Sequence, residues 1–377
     1  MVKTGLKVLM EDKLELIGDK ALGLITNPTG VNEKLEDNIS LFLARDKVNL
    51  KAIFAPEHGL WAAIQDLVEV SSFKHEGVSI PIYSLYGKNR KPTPEMLEGI
   101  DVLIFDIQDV GVKFYTFVST MAIAMEACAE NGVSFMVLDR PNPITGTRIE
   151  GPMLDPAFKS FIGYFTVTLR HGLTIGELAL LYREIFQLSL RLEVVKMEGW
   201  NREMWFDDTG LEWIMPSPNM PTLDTAIVYP GTCLFEGTNI SEGRGTTKPF
   251  EFIGAPWMDG RFIADKLNSL NMEGVRFRPV QFIPTFSKYQ DETCSGMQIH
   301  VINRSSFRPV KTALAMIETI MKSYPDDFQW RNVFDMLMGT DKVRKAMIDG
   351  DHAVNITRSW EDELKGFAET RKGYLIY

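Results

Sequence analysis

The 377-residue chain contains only three cysteines, and they lie far apart. Cys128, Cys233 and Cys294 form no CxxC pair, which argues against a disulfide framework and against a structural zinc site. No run of about 18 apolar residues is present, so we expect no membrane-spanning helix. Residues 1–7 lack the apolar segment and cleavage site of a signal peptide. We therefore expect a cytoplasmic protein, or a secreted or periplasmic protein in its processed form.

Positive charge is also in short supply. The 40 Lys and Arg residues are outnumbered by 50 Asp and Glu residues, which gives a net charge of -10. This imbalance argues against nucleic acid or an anionic membrane as the main partner. The hydrophobic share of 45% is ordinary for a globular protein, and the length favours two domains.

Short apolar runs alternate with helix-period segments in the first half, a pattern typical of an α/β fold whose parallel sheet is covered by helices. The predicted strands are 22–27, 50–55, 102–106 and 133–139, with a helix at 119–130. We assign residues 1–222 to this N-terminal domain. We assign residues 223–377 to a smaller α+β C-terminal domain with its own core. There the predicted strands are 275–283 and 297–303, and the predicted helices are 309–323 and 359–369.

Polar residues follow the carboxyl ends of the predicted strands. In a right-handed βαβ series these ends meet along one rim of the sheet, where open α/β sheets bind ligands. The candidate residues for catalysis or substrate binding on this rim are Asn27, Glu57, His58, Asp106, Gln108, Asp109, Asp139, Arg140 and Asn142. Turn chemistry alone also places Asp and Asn in loops, but four polar strand ends together favour a functional rim.

The segment 52–59 is the most informative of these strand ends. Its apolar run stops abruptly at Pro56, Glu57, His58 and Gly59. A carboxyl group and an imidazole delivered to the rim of a sheet are candidates for proton transfer. The alternative is an ordinary turn with a solvated glutamate and an incidental histidine.

A second unusual segment spans residues 235–247. It combines two acids, an arginine and three glycines without an apolar period, so we predict a loop whose backbone can approach a ligand closely. Its candidate functional residues are Glu236, Asn239, Glu242 and Arg244. A solvated interdomain linker is the alternative. Neither this loop nor the end of the first strand matches a Walker or dinucleotide-binding motif, which disfavours a nucleotide cofactor.

The acidic rim also raises the alternative of a metal-dependent hydrolase. His58, Asp106, Asp109 and Asp139 are residue types that can hold a divalent metal. However, the chain has no HExxH motif and no close pair of histidines. We therefore predict no metal site.

Together, several segments resemble a family of exo-acting β-N-acetylmuramidases, peptidoglycan hexosaminidases long described only as a domain of unknown function. The matching segments are 56–59 (PEHG), 83–87 (YSLYG), 105–111 (FDIQDVG), 138–143 (LDRPNP), 216–222 (PSPNMPT), 236–247 (EGTNISEGRGTT), 284–288 (PTFSK) and 374–377 (YLIY). The resemblance implies a Rossmann-like N-terminal domain, a smaller C-terminal domain and an active site between them. It also implies release of terminal N-acetylmuramic acid from the non-reducing end of peptidoglycan-derived glycans, without a cofactor.

The resemblance places the role of catalytic acid on Glu57, and we expect His58 to orient it or to bind a sugar hydroxyl. Most glycosidases use a second carboxylate. Glu236 and Glu242 are the candidates, with Asp106 and Asp109 behind them. The N-acetyl group of the substrate is an alternative nucleophile.

The carboxylate of the lactyl group is expected to meet an arginine, because a guanidinium binds carboxylate with two parallel hydrogen bonds. Arg140 and Arg244 are the candidates. Residues 60–66 (LWAAIQD) depart from the family pattern, in which an aromatic residue, an arginine and a glycine often follow PEHG. This departure motivates a second hypothesis, a carbohydrate-binding protein with altered catalysis.

Overall fold

The computed structural model of the chain describes residues 1–63, 80–87 and 89–377. The strands, in chain order, are β1 (Ala21–Thr26), β2 (Asn49–Ala55), β3 (Ile82–Ser84), β4 (Val102–Asp106), β5 (Ser134–Leu138), β6 (Glu150–Met153), β7 (Thr168–Arg170), β8 (Leu192–Val195), β9 (Phe252–Ala255), β10 (Val275–Phe282) and β11 (Cys294–Val301). The α-helices are α1 (Gly5–Asp12), α2 (Asn38–Leu43), α3 (Pro94–Leu97), α4 (Phe117–Asn131), α5 (Ile175–Ile185), α6 (Leu223–Thr232), α7 (Gly260–Ser269), α8 (Pro309–Ser323), α9 (Val333–Met338), α10 (Lys342–Ile348), α11 (Ala353–Arg358) and α12 (Glu361–Lys372).

Six strands form a parallel sheet in the order β3-β2-β1-β4-β5-β8. The chain adds β2 and β3 on one side of β1 and then crosses to add β4, β5 and β8 on the other. The winding direction therefore reverses between β1 and β4. In open α/β sheets, ligand crevices lie outside the carboxyl ends of the strands at such a switch point.

Both faces of this sheet are covered, because alternate side chains of each strand enter different hydrophobic clusters. In β4, Leu103 and Phe105 belong to the larger cluster, which includes residues of α4 and α5. Val102 and Ile104 belong to the smaller cluster, which includes residues of α1 and α2. The predicted α/β fold with a helix-covered parallel sheet is confirmed.

The C-terminal part contains a smaller antiparallel sheet in the order β10-β11-β9, against which α7 packs. The larger hydrophobic cluster runs without interruption from the parallel sheet into α6, α8 and α12. One cause is the loop between β4 and α4, where Phe114 and Tyr115 make edge contacts with Tyr229 of α6 at ring-centroid distances of 5.4 and 5.9 Å. The expected C-terminal core is therefore continuous with that of the first half, and the division at residues 222 and 223 stays a prediction.

Two of the predicted elements, 102–106 and 309–323, coincide with β4 and α8. The short edge strands β3 and β8 were not predicted, since strands of 3 and 4 residues carry too little alternation to be recognised. None of the helices in the described ranges has the length and apolar character required to cross a bilayer.

Candidate active site

A cavity of about 590 Å³ lies where the first half of the chain meets the C-terminal part, a size typical of small-molecule sites. We call it the central cavity. The first half contributes Glu57, His58, Tyr115, Thr116, Ser217 and Asn219 to its lining. The C-terminal part contributes Tyr229, Glu236, Glu242, Arg244, Lys288 and Arg331, among others. The central cavity therefore contains both segments that the sequence singled out.

A tight turn at the end of β2 delivers Glu57 to the central cavity. The backbone N–H of Gly59 donates to the carbonyl of Pro56 at 3.0 Å, which closes the turn. His58 has φ 70° and Gly59 has φ 75°, so both occupy the left-handed region, which is uncommon for a histidine. Glu57 and His58 are each only 7% exposed. The turn thus places both side chains, largely buried, at the carboxyl end of the strand, where they line the central cavity.

The Glu57 carboxyl group has one neutral partner. Its Oε2 accepts a hydrogen bond of 2.6 Å from the hydroxyl of Thr116, which occupies the N-cap position of α4. A threonine at this position ordinarily accepts a hydrogen bond from the first helical turn, but the Thr116 side chain makes no such bond. Within the described ranges, the Glu57 carboxyl makes no ion pair.

The two other glutamates of the central cavity are paired with cations. Arg244 contacts Glu236 with an Nη2–Oε1 distance of 2.7 Å and Glu242 with an Nε–Oε1 distance of 3.4 Å. Lys288 Nζ lies 2.8 Å from Oε2 of Glu242 and also donates to two backbone carbonyls of the 235–240 segment. Burial lowers the pKa of Lys288, while Glu242 opposes that shift. Glu57 therefore differs from both neighbours, because its carboxyl group meets a hydroxyl instead of a cation.

Comparison with known proteins decides the family. A sequence model described as the N-terminal region of exo-beta-N-acetylmuramidase NamZ matches residues 22–224, and one for the C-terminal region matches residues 227–377. The chain belongs to the NamZ exo-β-N-acetylmuramidase family. It is therefore an enzyme of the glycosidase class.

Relatives of this NamZ family member match it over its whole length. The peptidoglycan beta-N-acetylmuramidase NamZ of Bacillus subtilis (strain 168) is 50% identical over 378 residues, which cover 100% of this chain and 91% of that protein. A crystal structure of a DUF1343 family protein from Bacteroides fragilis NCTC 9343 is 37% identical with a TM-score of 0.93, covering 100% of this chain and 99% of the other. A second protein from that strain is 30% identical with a TM-score of 0.80 and the same coverage.

The other rim residues of this NamZ family member do not line the central cavity. Asp106 is fully buried at the end of β4, where Arg140 donates to it through Nε at 2.6 Å and through Nη2 at 3.1 Å. Asn38 adds a third hydrogen bond, of 2.7 Å, to the same carboxylate. The guanidinium of Arg140 is thus engaged inside the protein, and of the two arginines considered for the lactyl carboxylate only Arg244 reaches the central cavity.

Asp139 is also fully buried, and four groups donate to its carboxyl oxygens. They are the backbone N–H groups of Arg140 and Gly176 and the hydroxyls of Thr174 and Tyr377, at 2.7–3.0 Å. Burial raises the pKa of Asp139 to about 7, while the Tyr377 and Gly176 hydrogen bonds oppose the rise. Asp139 thereby joins α5 to the C-terminal residue of the chain.

The remaining amide residues of the rim organise loops. Asn27 donates through Nδ2 to the carbonyl of Pro216 at 3.3 Å, next to cavity-lining Ser217. Gln108 donates to the carbonyl of Pro141 at 2.7 Å. Asn142 accepts from the backbone N–H of Ile144 and donates to the carbonyl of Leu173. Asn27 therefore acts on the central cavity indirectly, through the 216–222 loop.

Asp109 and Asn239 lie outside the central cavity as well. Oδ2 of Asp109 accepts from the backbone N–H of Gly111 at 2.7 Å, and burial raises the pKa of Asp109 to about 7. Asn239 donates to the carbonyl of Asp327 at 2.7 Å and accepts from the N–H of Gln329 at 2.9 Å. Asn239 thus connects the 235–247 loop to the segment that precedes Arg331.

Sequence reasoning did not select Thr116, Lys288 or Arg331. Lys288 ends the PTFSK segment that carried the family resemblance, so a signal for it was present. Thr116 and Arg331 lie outside all of the recognised segments, and nothing local distinguishes them. Their place in the central cavity follows only from tertiary contacts.

Two further sequence inferences concern a metal site and the atypical segment after PEHG. In the described part of the chain, no group of three His, Cys, Asp or Glu side chains is arranged to hold a metal ion. In the atypical segment after PEHG, Ile64, Gln65 and Asp66 lie outside the described residues. Trp61, which precedes them, is 62% exposed.

Proposed function

We propose that this protein hydrolyses the β-glycosidic bond of a terminal N-acetylmuramic acid at the non-reducing end of peptidoglycan-derived glycans. Family membership supports the reaction class, and the curated relative from Bacillus subtilis supports the substrate. The observation that carries the catalytic assignment is the contrast within the central cavity. Glu57 makes no ion pair within the described ranges, whereas Glu236 and Glu242 are each bound to a cation.

In this proposal Glu57 is the general acid. The Thr116 hydroxyl occupies Oε2, so the transferable proton resides on Oε1. Glu57 gives this proton to the glycosidic oxygen as the bond from that oxygen to the anomeric carbon breaks. Water then supplies hydroxide to the anomeric carbon and a proton that restores the carboxyl group. This protonation makes the leaving sugar a neutral alcohol instead of an alkoxide.

Glu236 and Glu242 remain the candidates for the second carboxylate, and the acetamido group of the substrate remains the alternative nucleophile. Either glutamate has to act while Arg244 or Lys288 neutralises it or moves away. The anomeric configuration of the first sugar released, followed by proton NMR, distinguishes the routes. Inversion requires a carboxylate that activates water, whereas retention requires the acetamido group or a carboxylate nucleophile.

The assignment of Glu57 is tested with two leaving groups of different basicity. A disaccharide in which N-acetylmuramic acid is β-1,4-linked to N-acetylglucosamine needs protonation of its leaving oxygen, whereas 4-nitrophenolate leaves as an anion. For the disaccharide we expect Glu57→Gln to lower kcat by about 10²–10⁴-fold, the usual contribution of a general acid. For the 4-nitrophenyl muramide the loss is expected to be much smaller.

Glu236→Gln is the matched control in the central cavity, because it removes a cavity carboxylate without touching Glu57. It is expected to show no difference between the two leaving groups. An equal loss on both substrates for Glu57→Gln excludes the general-acid role. A wild-type protein that binds the disaccharide and never cleaves it supports the alternative of a carbohydrate-binding protein with altered catalysis.

A further inference from the structure

From the cations of the central cavity we infer that Arg331 binds the lactyl carboxylate of the terminal sugar and selects substrates in which that carboxylate is free. This inference rests on the proposed function, because it assigns the part of N-acetylmuramic acid that N-acetylglucosamine lacks. It also replaces both arginines that the sequence suggested for this role.

Lys288 has no donor left for a substrate. An ammonium group has three N–H donors, and those of Lys288 go to Oε2 of Glu242 at 2.8 Å and to the carbonyls of Phe235 and Ile240 at 2.7 and 2.9 Å. Its side chain is only 7% exposed. Lys288 therefore holds the 235–242 segment in place and has no hydrogen-bond donor with which to bind the substrate.

Arg244 is committed to the glutamates of the same segment. It meets Glu236 through Nη2 and Glu242 through Nε, so the edge of the guanidinium that binds carboxylates in pairs is already used. The guanidinium carbon Cζ of Arg244 also lies 5.0 Å from the ring centroid of Phe250. To bind the Nε–Nη2 edge of Arg244, a substrate carboxylate has to displace a protein carboxylate.

Arg331 is in the opposite situation. Its side chain is exposed and lines the central cavity, and in the described ranges its guanidinium makes neither a hydrogen bond nor an ion pair. A guanidinium presents donors in a rigid fork that matches the two oxygens of a carboxylate. Arg331 thus offers an unused carboxylate-binding group at the cavity.

The backbone of Arg331 is hydrogen-bonded to the 235–247 loop. The N–H of Arg331 donates to the carbonyl of Gly237 at 2.8 Å, next to Glu236. Two further hydrogen bonds, of 3.0 and 2.9 Å, join Asn239 to Gln329. A binding group on an anchored backbone loses less conformational entropy when it meets its ligand.

The consequence is selection at the lactyl group. N-acetylglucosamine lacks this carboxylate, and a stem peptide converts it into a neutral amide. Both changes leave Arg331 with no anion to bind at that point. We therefore expect the enzyme to prefer glycans whose terminal muramic acid has lost its peptide.

The test compares 4-nitrophenyl glycosides of N-acetylmuramic acid, of its lactyl primary amide, of its lactyl L-alanine derivative and of N-acetylglucosamine. The proteins are the wild type, Arg331→Gln, Arg331→Lys and the control Arg358→Gln, which removes an exposed arginine from α11, away from the cavity lining. We expect Arg331→Gln to lower kcat/KM for the free acid about 30- to 100-fold, mainly through KM, as expected for loss of a bidentate charged hydrogen bond. Its kcat/KM for the primary amide should stay at the wild-type value. Arg331→Lys should recover part of the loss, and Arg358→Gln should match the wild type.

An equal loss on the acid and the amide, or a wild type that does not distinguish them, overturns the role of Arg331 and leaves the proposed function standing. A loss confined to the L-alanine derivative also overturns it, because the carboxylate recognised is then that of the peptide. Absence of wild-type turnover on every muramide overturns the proposed function, and the role of Arg331 with it.

Discussion

The hydroxyl of Thr116 lies 2.6 Å from Oε2 of Glu57 and donates a hydrogen bond to it, although 59 residues separate them in the chain. Thr116 stands at the N-terminus of α4, where the unpaired N–H groups of the first helical turn carry partial positive charge. The bond gives the two Glu57 oxygens different surroundings. We therefore expect Thr116 to position the proposed acid.

We expect Thr116→Val, which keeps the shape of the side chain and removes the hydroxyl, to lower kcat about tenfold with KM little changed. The reason is the loss of one hydrogen bond, worth about 1–1.5 kcal/mol, that orients the carboxyl group. Thr116→Ser, which keeps the hydroxyl, should restore kcat. A Thr116→Ser variant as slow as Thr116→Val, or a loss that appears in KM instead of kcat, contradicts the positioning role.

Glu242 links the side chains of Arg244 and Lys288 in the central cavity, so Glu242→Gln is expected to destabilise the fold. It leaves Lys288, whose side chain is 7% exposed, without its carboxylate partner. Breaking one side of a buried pair typically costs about 3–5 kcal/mol. Urea unfolding measures the change, and the double variant Glu242→Gln with Lys288→Met should recover part of the loss. A single variant as stable as the wild type contradicts this account.

Tyr377 is expected to stabilise the whole chain through its hydroxyl. It donates to Oδ2 of buried Asp139 at 2.7 Å and accepts from the N–H of Met197 at 2.8 Å. Tyr377→Phe leaves both groups with one partner fewer, which should lower the free energy of unfolding by about 2 kcal/mol. Tyr374→Phe is the matched control, since no hydrogen bond of its hydroxyl occurs in the described structure. Equal denaturation midpoints for the two variants exclude the assigned role.

Lys113 should make stability depend on pH. It is 2% exposed, its ammonium donates to the carbonyl of Leu337, and burial lowers its pKa from 10.5 to about 7. Between these pH values the unfolded chain binds more protons than the folded protein. The buried Lys113 amine therefore makes its full contribution to the free energy of unfolding above pH 10.5. This contribution is lost as the pH falls towards 7 and the unfolded chain takes up the proton first.

The free energy of unfolding, measured with urea from pH 7 to 10, should therefore contain a contribution from Lys113 that rises by up to about 1.4 kcal/mol per pH unit. In Lys113→Met that part of the rise should vanish. Parallel curves for the two proteins show that the ammonium is not desolvated in the folded state.

The fold was predictable where the pattern is local. Buried strands such as β4 are continuous apolar runs, and α8 has a complete amphipathic period with a proline in its first turn. The capping box of Thr174 and Glu177 at the start of α5 is a local pattern of the same kind. The extent of the core shared by the two parts of the chain was not predictable. It depends on contacts such as that of Phe114 with Tyr229, which lie far apart in the sequence, and no local pattern indicates such a contact.

By itself, the sequence determined the α/β class, the family and the position of Glu57 immediately after a buried strand, because periodicity and motifs are local properties. Only the tertiary structure decided which polar residues face the central cavity. Asp106 and Glu57 both lie at carboxyl ends of strands. Asp106 is the last residue of β4, and its carboxylate is hydrogen-bonded to Arg140 and Asn38 inside the protein. Glu57 lies in the turn after β2 and lines the central cavity. The physical reason is that a side chain's partners come from whichever segments the topology brings beside it, and here those partners lie tens of residues away in the chain.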